Sequence, residues 1–326
     1  MHLGSSYPVT DLGTDPAVVR TFAVGLEELG FDELYVSDHI LGVDTASQES
    51  WSPYNPTTRE MTGPLYDHTF AFLEPMVTFG YLAGITSRIR LVSSVMVLGM
   101  RQAVLVAKQT AVADVLSGGR ITLGVGVGWN DLEYRAMGVD FSSRGSRVEE
   151  QLEVMRALWT KELVTFEGRW HHIPAAGINP LPIQRPIPIW IGGVSDKATA
   201  RAARLADGWY PGQLLEAEAP GEPYVLSKWG ADSLDLFRSS ATAAGRDPGS
   251  VAFVGAVNVG PRSPQMAADE IAGWARIGAT HVNIRTSLYP RTWSGESTAQ
   301  TARVEVDRHL EMLASIAACW RDRAIT

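Results

Sequence analysis

RIRLVSSVMVLGMRQAVLVAKQTAVADVLSGGRITLGVGVGWN, from Arg88 to Asn130, reads as two strands with a helix between them. RIRLVSSVMV is rich in β-branched residues, and MRQAVLVAKQTAVADVLS carries apolar residues at helical spacing. The glycines of SGGR stop that helix, and ITLGVGV opens a second strand that is apolar on both faces. A strand, a crossover helix and a second such strand make a βαβ unit. Its strand ends, Ser93–Val95 and Gly126–Asn130, are where such a fold places its chemistry.

Outward from this unit the same alternation continues. Strands are expected at His2–Ser5, Glu33–Ser37, Ile89–Val97, Ile121–Val127, Ile187–Gly193, the short GWYP after Asp207, Val251–Val259 and Thr280–Thr286. Helices are expected over Asp15–Leu29, closed by Gly30, and over Ser146–Trp159, Lys197–Leu205 and Thr301–Arg321. Eight repeats of strand and helix predict a single α/β domain over 1–326, a (β/α)8 TIM barrel. A doubly wound sheet with an appended domain is the alternative. Three insertions belong to the loops: the aromatic segment at about 41–73, a small hairpin plus extended run at 162–185, and an acidic, Gly/Pro-rich loop at 214–224 that reads as mobile. Long βα loops at the barrel mouth commonly act as lids.

The chain has 326 residues, 45% hydrophobic and 20% charged, the make-up of a globular protein with a large core. No apolar run reaches the roughly 18 residues that a membrane span needs, and MHLGSSYPVT lacks the pattern of a signal peptide, so a cytoplasmic location is expected. A net charge of -8 argues against general binding to nucleic acid or anionic membrane. The single cysteine, Cys319, excludes a disulfide framework and a cysteine-based zinc site. Among ten tryptophans, Trp51, Trp129, Trp190 and Trp209 stand near proline or glycine, so several are candidates to line a flat-ligand pocket, with core packing the reading for any one of them taken singly.

Asp38 and His39 close the second strand in ELYVSDHI, where the imidazole could exchange a proton with a bound ring and the carboxylate could set its tautomer or bind a ligand donor itself. GVGVGWN departs from the dinucleotide fingerprint G-x-G-x-x-G, and the DLEYRAMG that follows reads as a short helix without a strand-borne acid. Its glycines instead allow backbone to lie flat against a planar ligand. IGGVSDK at Ile191–Lys197 offers backbone N–H groups, a Ser195 or Asp196 cap and the Lys197 charge, the make-up of a phosphate site at a helix start. Arg144 and Arg147 reach that region or pair with Glu149 and Glu150 on a solvated helix. His171 and His172 lack a third ligand at zinc spacing and read as structural. No nucleophile motif appears, so a bound redox cofactor supplies the chemistry on this reading.

On these residues the chain resembles the bacterial-luciferase-like flavin and deazaflavin oxidoreductases, and within them the group that uses coenzyme F420. The resemblance runs from ELGFDELYVSDH through TSRIRLVSSVMVL, AKQTAVADVLSGGRITLGVGVGWN and RPIPIWIGG to ADGWYP. It implies a barrel with the ring at the C-terminal mouth and a third strand ending in a bulge with a non-prolyl cis peptide, which maps to Ser94–Val95. It further implies that Asp38 and His39 meet the ring's polar edge. Gly128, Trp129 and Asn130 would lie beside the cofactor, and Gly192, Gly193, Val194 and Ser195 would hold its phosphate. A homodimer and a separate reductase that supplies reduced cofactor belong to the same implication.

Two positions depart from the family's sugar-phosphate dehydrogenases. Trp129 stands in place of their glutamate and Val43 in place of their tryptophan, which argues against that activity. Trp129, with Trp51, Tyr54, Tyr66 and Phe70 of the lid, would wall a mostly apolar or aromatic substrate space. Three functions follow for test: F420-dependent hydride transfer between the deazaflavin and an organic substrate, as reduction of a C=C or C=N bond with His39 or water held by it as proton source, a two-component monooxygenase using reduced FMN and oxygen, and a non-catalytic flavin-binding barrel. The SDH start and the lack of an arginine within GVGVGW favour the first.

Overall fold

The computed structural model describes residues 1–44, 47, 66–193, 195–217, 222–287 and 299–324, with side chains of 299–304 and 324 left aside. The strands are β1 (His2–Ser6), β2 (Glu33–Val36), β3 (Arg90–Ser93), β4 (Met96–Val97), β5 (Ile121–Gly126), β6 (Val164–Glu167), β7 (His172–Ala176), β8 (Ile189–Gly192), β9 (Gly208–Tyr210), β10 (Leu215–Glu216), β11 (Val225–Leu226), β12 (Ala252–Asn258) and β13 (His281–Arg285). The helices are α1 (Val9–Leu12), α2 (Pro16–Glu28), α3 (Pro75–Ile85), α4 (Ala103–Ser117), α5 (Asp131–Ala136), α6 (Arg144–Thr160), α7 (Asp196–Leu205), α8 (Lys228–Ala243), α9 (Pro264–Arg276) and α10 (Ala299–Ala324).

Hydrogen bonding runs β3–β2–β1–β13–β12–β9–β8–β5 and returns from β5 to β3, closing a parallel ring. β4 pairs with β5 outside that ring. Each ring strand is followed by at least one helix, the order of a TIM barrel. Closure overturns the doubly wound alternative, since an open sheet would leave two free edges.

All eight expected strands are present, and one is divided. The run read as Ile89–Val97 breaks into β3 and β4 at the Ser94–Val95 peptide, which is cis. Gly124 explains how β5 approaches this break: a Cβ there would lie 1.9 Å from the Ser93 carbonyl oxygen. Helix ends follow local chemistry. Asp15 caps α2 by accepting from Ala17 N–H, with Pro16 in the first turn where its missing N–H costs nothing. Gly118 ends α4 in the left-handed conformation, φ 72 and ψ 33, as the SGGR reading requires.

By internal packing the chain divides into two compact units. The first comprises Met1–Val36, Arg88–Val92 and Trp190–Thr326. Its core includes Phe22, Leu26, Val254, Ile271 and Trp274, all fully covered. Trp209 is 1% exposed and lies stacked on Phe237 at 4.4 Å and on Phe253 at 5.2 Å. Trp190 is also buried, edge-on to His281. Both tryptophans are buried in the first unit, the core-packing reading of the two: Trp209 stacks on phenylalanines, and Trp190 packs against Tyr35 and His281.

The second unit comprises Ser37–Ser87 and Ser93–Ile189. In it the insertion at 162–185 forms the expected hairpin, β6 paired antiparallel with β7. Glu150 on α6 accepts from the N–H groups of Arg169, Trp170 and His171 and from His171 Nδ1, so it fastens the hairpin turn. His172 pairs with Glu167 in the same way. Of the two glutamates expected to pair with Arg144 or Arg147, Glu150 is taken by this turn, and Arg144 lies 3.7 Å over the Phe141 ring. In the first unit the segment expected as a mobile loop at 214–224 begins in β10, which pairs with β11 beyond it. Its residues 218–221, and most of the 41–73 insertion, including Trp51 and Tyr54, lie outside the described residues.

Candidate active site

Asp38 and His39 directly follow β2, and the second unit orients them in opposite ways. Asp38 is 4% exposed and both of its carboxylate oxygens are taken: Oδ2 accepts from Val97 N–H at 2.9 Å and Oδ1 from Arg101 Nη2 at 2.7 Å. Arg101 continues to Glu74 at 2.8 Å. Burial raises the Asp38 carboxyl above its ordinary value, against the opposing pull of Arg101 and the Val97 N–H. With both oxygens paired, Asp38 ties the chain before His39 to the short strand after the Ser94–Val95 break. The structure gives it an anchoring role in place of the tautomer-setting role read from the sequence.

That second role falls to Glu133. Its Oε2 lies 3.0 Å from His39 Nδ1 and accepts from the Tyr66 hydroxyl at 3.1 Å. Its Oε1 accepts from the N–H groups of Ile40 at 2.7 Å and Leu41 at 3.1 Å. Burial alone would raise the Glu133 carboxyl, but the His39 hydrogen bond and charge and the two backbone N–H groups outweigh it and hold it below the ordinary glutamate range. An ionised acceptor at Nδ1 requires the proton on that nitrogen. The neutral His39 ring then presents Nε2 as a base, and the protonated ring presents Nε2–H as an acid. Nε2 has no partner among the described residues.

Tyr66 completes the arrangement. Its oxygen is 2.6 Å from His39 Nδ1 and accepts from Asn130 Nδ2 at 3.1 Å. Burial and the Glu133 charge keep this phenol protonated far above neutral pH. Around the imidazole stand Tyr66 at 4.0 Å between centroids, Phe72 at 5.1 Å and Trp129 at 5.7 Å. The result is an imidazole in an aromatic box, with Nδ1 committed and Nε2 without a partner among the described residues.

Sequence reasoning brought Asp38, His39, Tyr66, Trp129 and Asn130 into one region, and the structure assembles all five in the second unit. Two carry different duties from those expected. Tyr66 spends its hydroxyl on His39 and Glu133, and buried Asn130 caps α5 through Oδ1 to Leu132 and Glu133 N–H. Gly128 has φ +71, and a Cβ there would meet Val97 Cγ1 at 2.6 Å, so packing within the protein already accounts for this glycine. Glu133 and Arg101 were missed. The Asn130–Glu133 spacing carries the signal of a capping box, which predicts a glutamate folded back on its own helix.

In the first unit, Gly193 follows β8 with φ +146 and a Cβ there would lie 2.7 Å from Ala198. Ser195 caps α7, its Oγ accepting from Ala198 N–H at 3.2 Å. The first turn of α7 thus offers backbone donors of the kind that bind phosphate. Val194 lies outside the described residues. No cluster of three or more metal-binding side chains exists among the described residues.

A model of the luciferase-like monooxygenase family matches residues 3–319. The chain belongs to that family. This luciferase-like chain is 32% identical over 283 residues to an uncharacterised Mycobacterium tuberculosis protein, covering 86% of this chain and 90% of that one. An F420-dependent glucose-6-phosphate dehydrogenase of Kineococcus radiotolerans is 30% identical over 198 residues, 60% of this chain and 52% of that one. In fold, the luciferase-like barrel is similar to an F420-dependent secondary alcohol dehydrogenase, with TM-score 0.68, 16% identity, and coverage of 97% and 98%.

Whether the luciferase-like site fits a deazaflavin or flavin can be tested on one atom. Ser94 Oγ, on the cis peptide, is buried without a hydrogen-bond partner among the described residues. A polar cofactor atom would satisfy it, and an apolar ligand would not. The residues present fit such a group.

Proposed function

We propose that this protein is an F420-dependent oxidoreductase that transfers a hydride between the deazaflavin and a mostly apolar or aromatic organic substrate, in the direction that reduces a C=C or C=N bond. The observation that carries the proposal is His39, with Nδ1 held by Glu133 and Tyr66 and Nε2 unengaged. When bound, the reduced deazaflavin supplies the hydride. The protein's part is the proton: His39 Nε2–H gives it to the substrate atom that gains charge, and Glu133 stabilises the imidazolium beforehand. Trp129 and Phe72 keep water from the imidazole. Ser94 would hold a polar edge of the cofactor. The 30% identity to an F420-dependent dehydrogenase and the lack of an arginine in GVGVGW support F420 over FMN. In this proposal a separate reductase renews the reduced cofactor and the chain works as a homodimer.

Parallel titration with F420 and FMN, followed by tryptophan fluorescence, tests the reading. Saturable quenching by F420 at much lower concentration than by FMN is the expected result. Preference for FMN with oxygen-dependent turnover would establish the monooxygenase instead.

A further inference from the structure

Within the first unit, the ends of β1, β13 and β9 carry a polar chain separate from His39. Ser6 ends β1, Tyr210 ends β9 and Arg285 ends β13, with Asn283 on β13 between them. Ser6 Oγ donates to Asn283 Oδ1 at 3.1 Å, and Asn283 Nδ2 donates to the Tyr210 hydroxyl at 2.8 Å. Arg285 Nη2 donates to the same oxygen at 2.6 Å.

A phenol has two lone pairs and one proton. Asn283 and Arg285 occupy both lone pairs, and neither side chain can accept the proton from where it stands, since both groups point donors at it. The Tyr210 O–H therefore has to be aimed at a further acceptor, and none exists among the described residues. Arg285 is half-buried, and no carboxylate pairs with it among the described residues. The Tyr210 ring beneath it, 5.7 Å from the guanidinium carbon to the ring centroid, offsets only part of a cation's need for a partner. A phenol proton and an unpaired guanidinium thus converge at C-terminal strand ends, the side of a barrel that takes ligands.

We infer that Tyr210 and Arg285 form a binding site for an organic carboxylate, so that the substrate is an apolar or aromatic acid. The planar guanidinium fork suits a carboxylate, and one positive charge balances one negative charge. A phosphate dianion would leave a charge uncompensated here. This inference rests on the proposed function only in naming the carboxylate's owner as the substrate; the anion site itself does not depend on it.

The test uses cofactor-free protein titrated with benzoate, its neutral isostere benzamide, and inorganic phosphate, followed by calorimetry. Benzoate is expected to bind about tenfold or more tightly than benzamide. Arg285→Met is expected to abolish that preference, Arg285→Lys to keep part of it, and Tyr210→Phe to weaken benzoate several-fold, all with unchanged circular dichroism. Equal binding of benzoate and benzamide, a preference that survives Arg285→Met, or tighter binding of phosphate would each overturn the carboxylate site. F420 titration of Arg285→Met separates the two proposals. Unchanged F420 affinity with lost benzoate binding supports a substrate site, and a parallel loss of F420 assigns the anion to the cofactor and overturns it. Failure of F420 to bind wild-type protein, with the benzoate preference intact, would refute only the proposed function.

Discussion

Glu133 Oε2 stands 3.0 Å from His39 Nδ1, although 94 positions separate the two residues in the chain. The carboxylate is almost wholly covered and accepts three further hydrogen bonds, from Ile40, Leu41 and Tyr66. It therefore both fixes the ring and fastens the first residues of the 41–73 insertion.

His39→Ala is expected to lower kcat by about 10²–10⁴-fold while F420 affinity changes little. Single-turnover reduction of substrate by bound reduced cofactor measures this. An unchanged rate would remove His39 from the proton transfer.

Glu133→Gln replaces an ionised acceptor by an amide and should shift the pH dependence of kcat/KM, because the imidazolium loses its counter-charge. Stability should fall by about 1–3 kcal/mol from imperfectly satisfied partners. The wild-type carboxyl lies below its ordinary value in the fold. Its contribution to stability is thus complete above pH 4.5 and is lost as pH falls through the lower folded value. Urea titrations of both proteins at pH 7 and in acid should converge as the pH drops.

Glu33 has the opposite sign. Burial in the first unit pushes its carboxyl up to about 7, against the opposing hydrogen bond from Tyr35. A raised value stabilises the fold below pH 4.5, and that contribution is lost as pH rises to about 7. Glu33→Gln should accordingly be more stable than wild type at pH 8, on the order of 3 kcal/mol at most, and nearly equal at pH 4. Thermal melts at the two pH values decide it.

Arg101→Met leaves the buried Asp38 carboxyl without its main partner, which should cost up to about 3–5 kcal/mol. The double variant Asp38→Asn with Arg101→Met should regain part of that loss. Equilibrium unfolding in urea distinguishes this from two independent losses, which would simply add.

Trp129→Phe should remove most of the fluorescence change on cofactor binding, since Trp129 is the tryptophan beside His39 among the described residues. Trp209→Ala should leave cofactor affinity unchanged and reduce stability by about 3–5 kcal/mol, as expected of a large core side chain. Fluorescence titration and urea unfolding of each variant check the pair.

The barrel was legible because its signals are local. Strand and helix periods, the Pro16 start, the Gly118 stop and the apolar faces of ITLGVG all act over a few residues, and together they predict eight strands in alternation with helices. The strand-end position of Asp38 and His39 follows from the same reading, since residues just past a barrel strand have few other places to go. Residue type near proline and glycine did not separate Trp129, which borders the imidazole, from Trp190 and Trp209, which fill the core.

The sequence by itself determined the barrel, its family and the position of its histidine. Only the tertiary structure decided the partners: Glu133 for His39, Arg101 for Asp38 across 63 positions, and Tyr210 for Arg285 across 75. The physical reason is that a charge in water needs no particular neighbour. Burial makes a partner obligatory, and the path of the folded chain, which no local pattern encodes, selects which one is within reach.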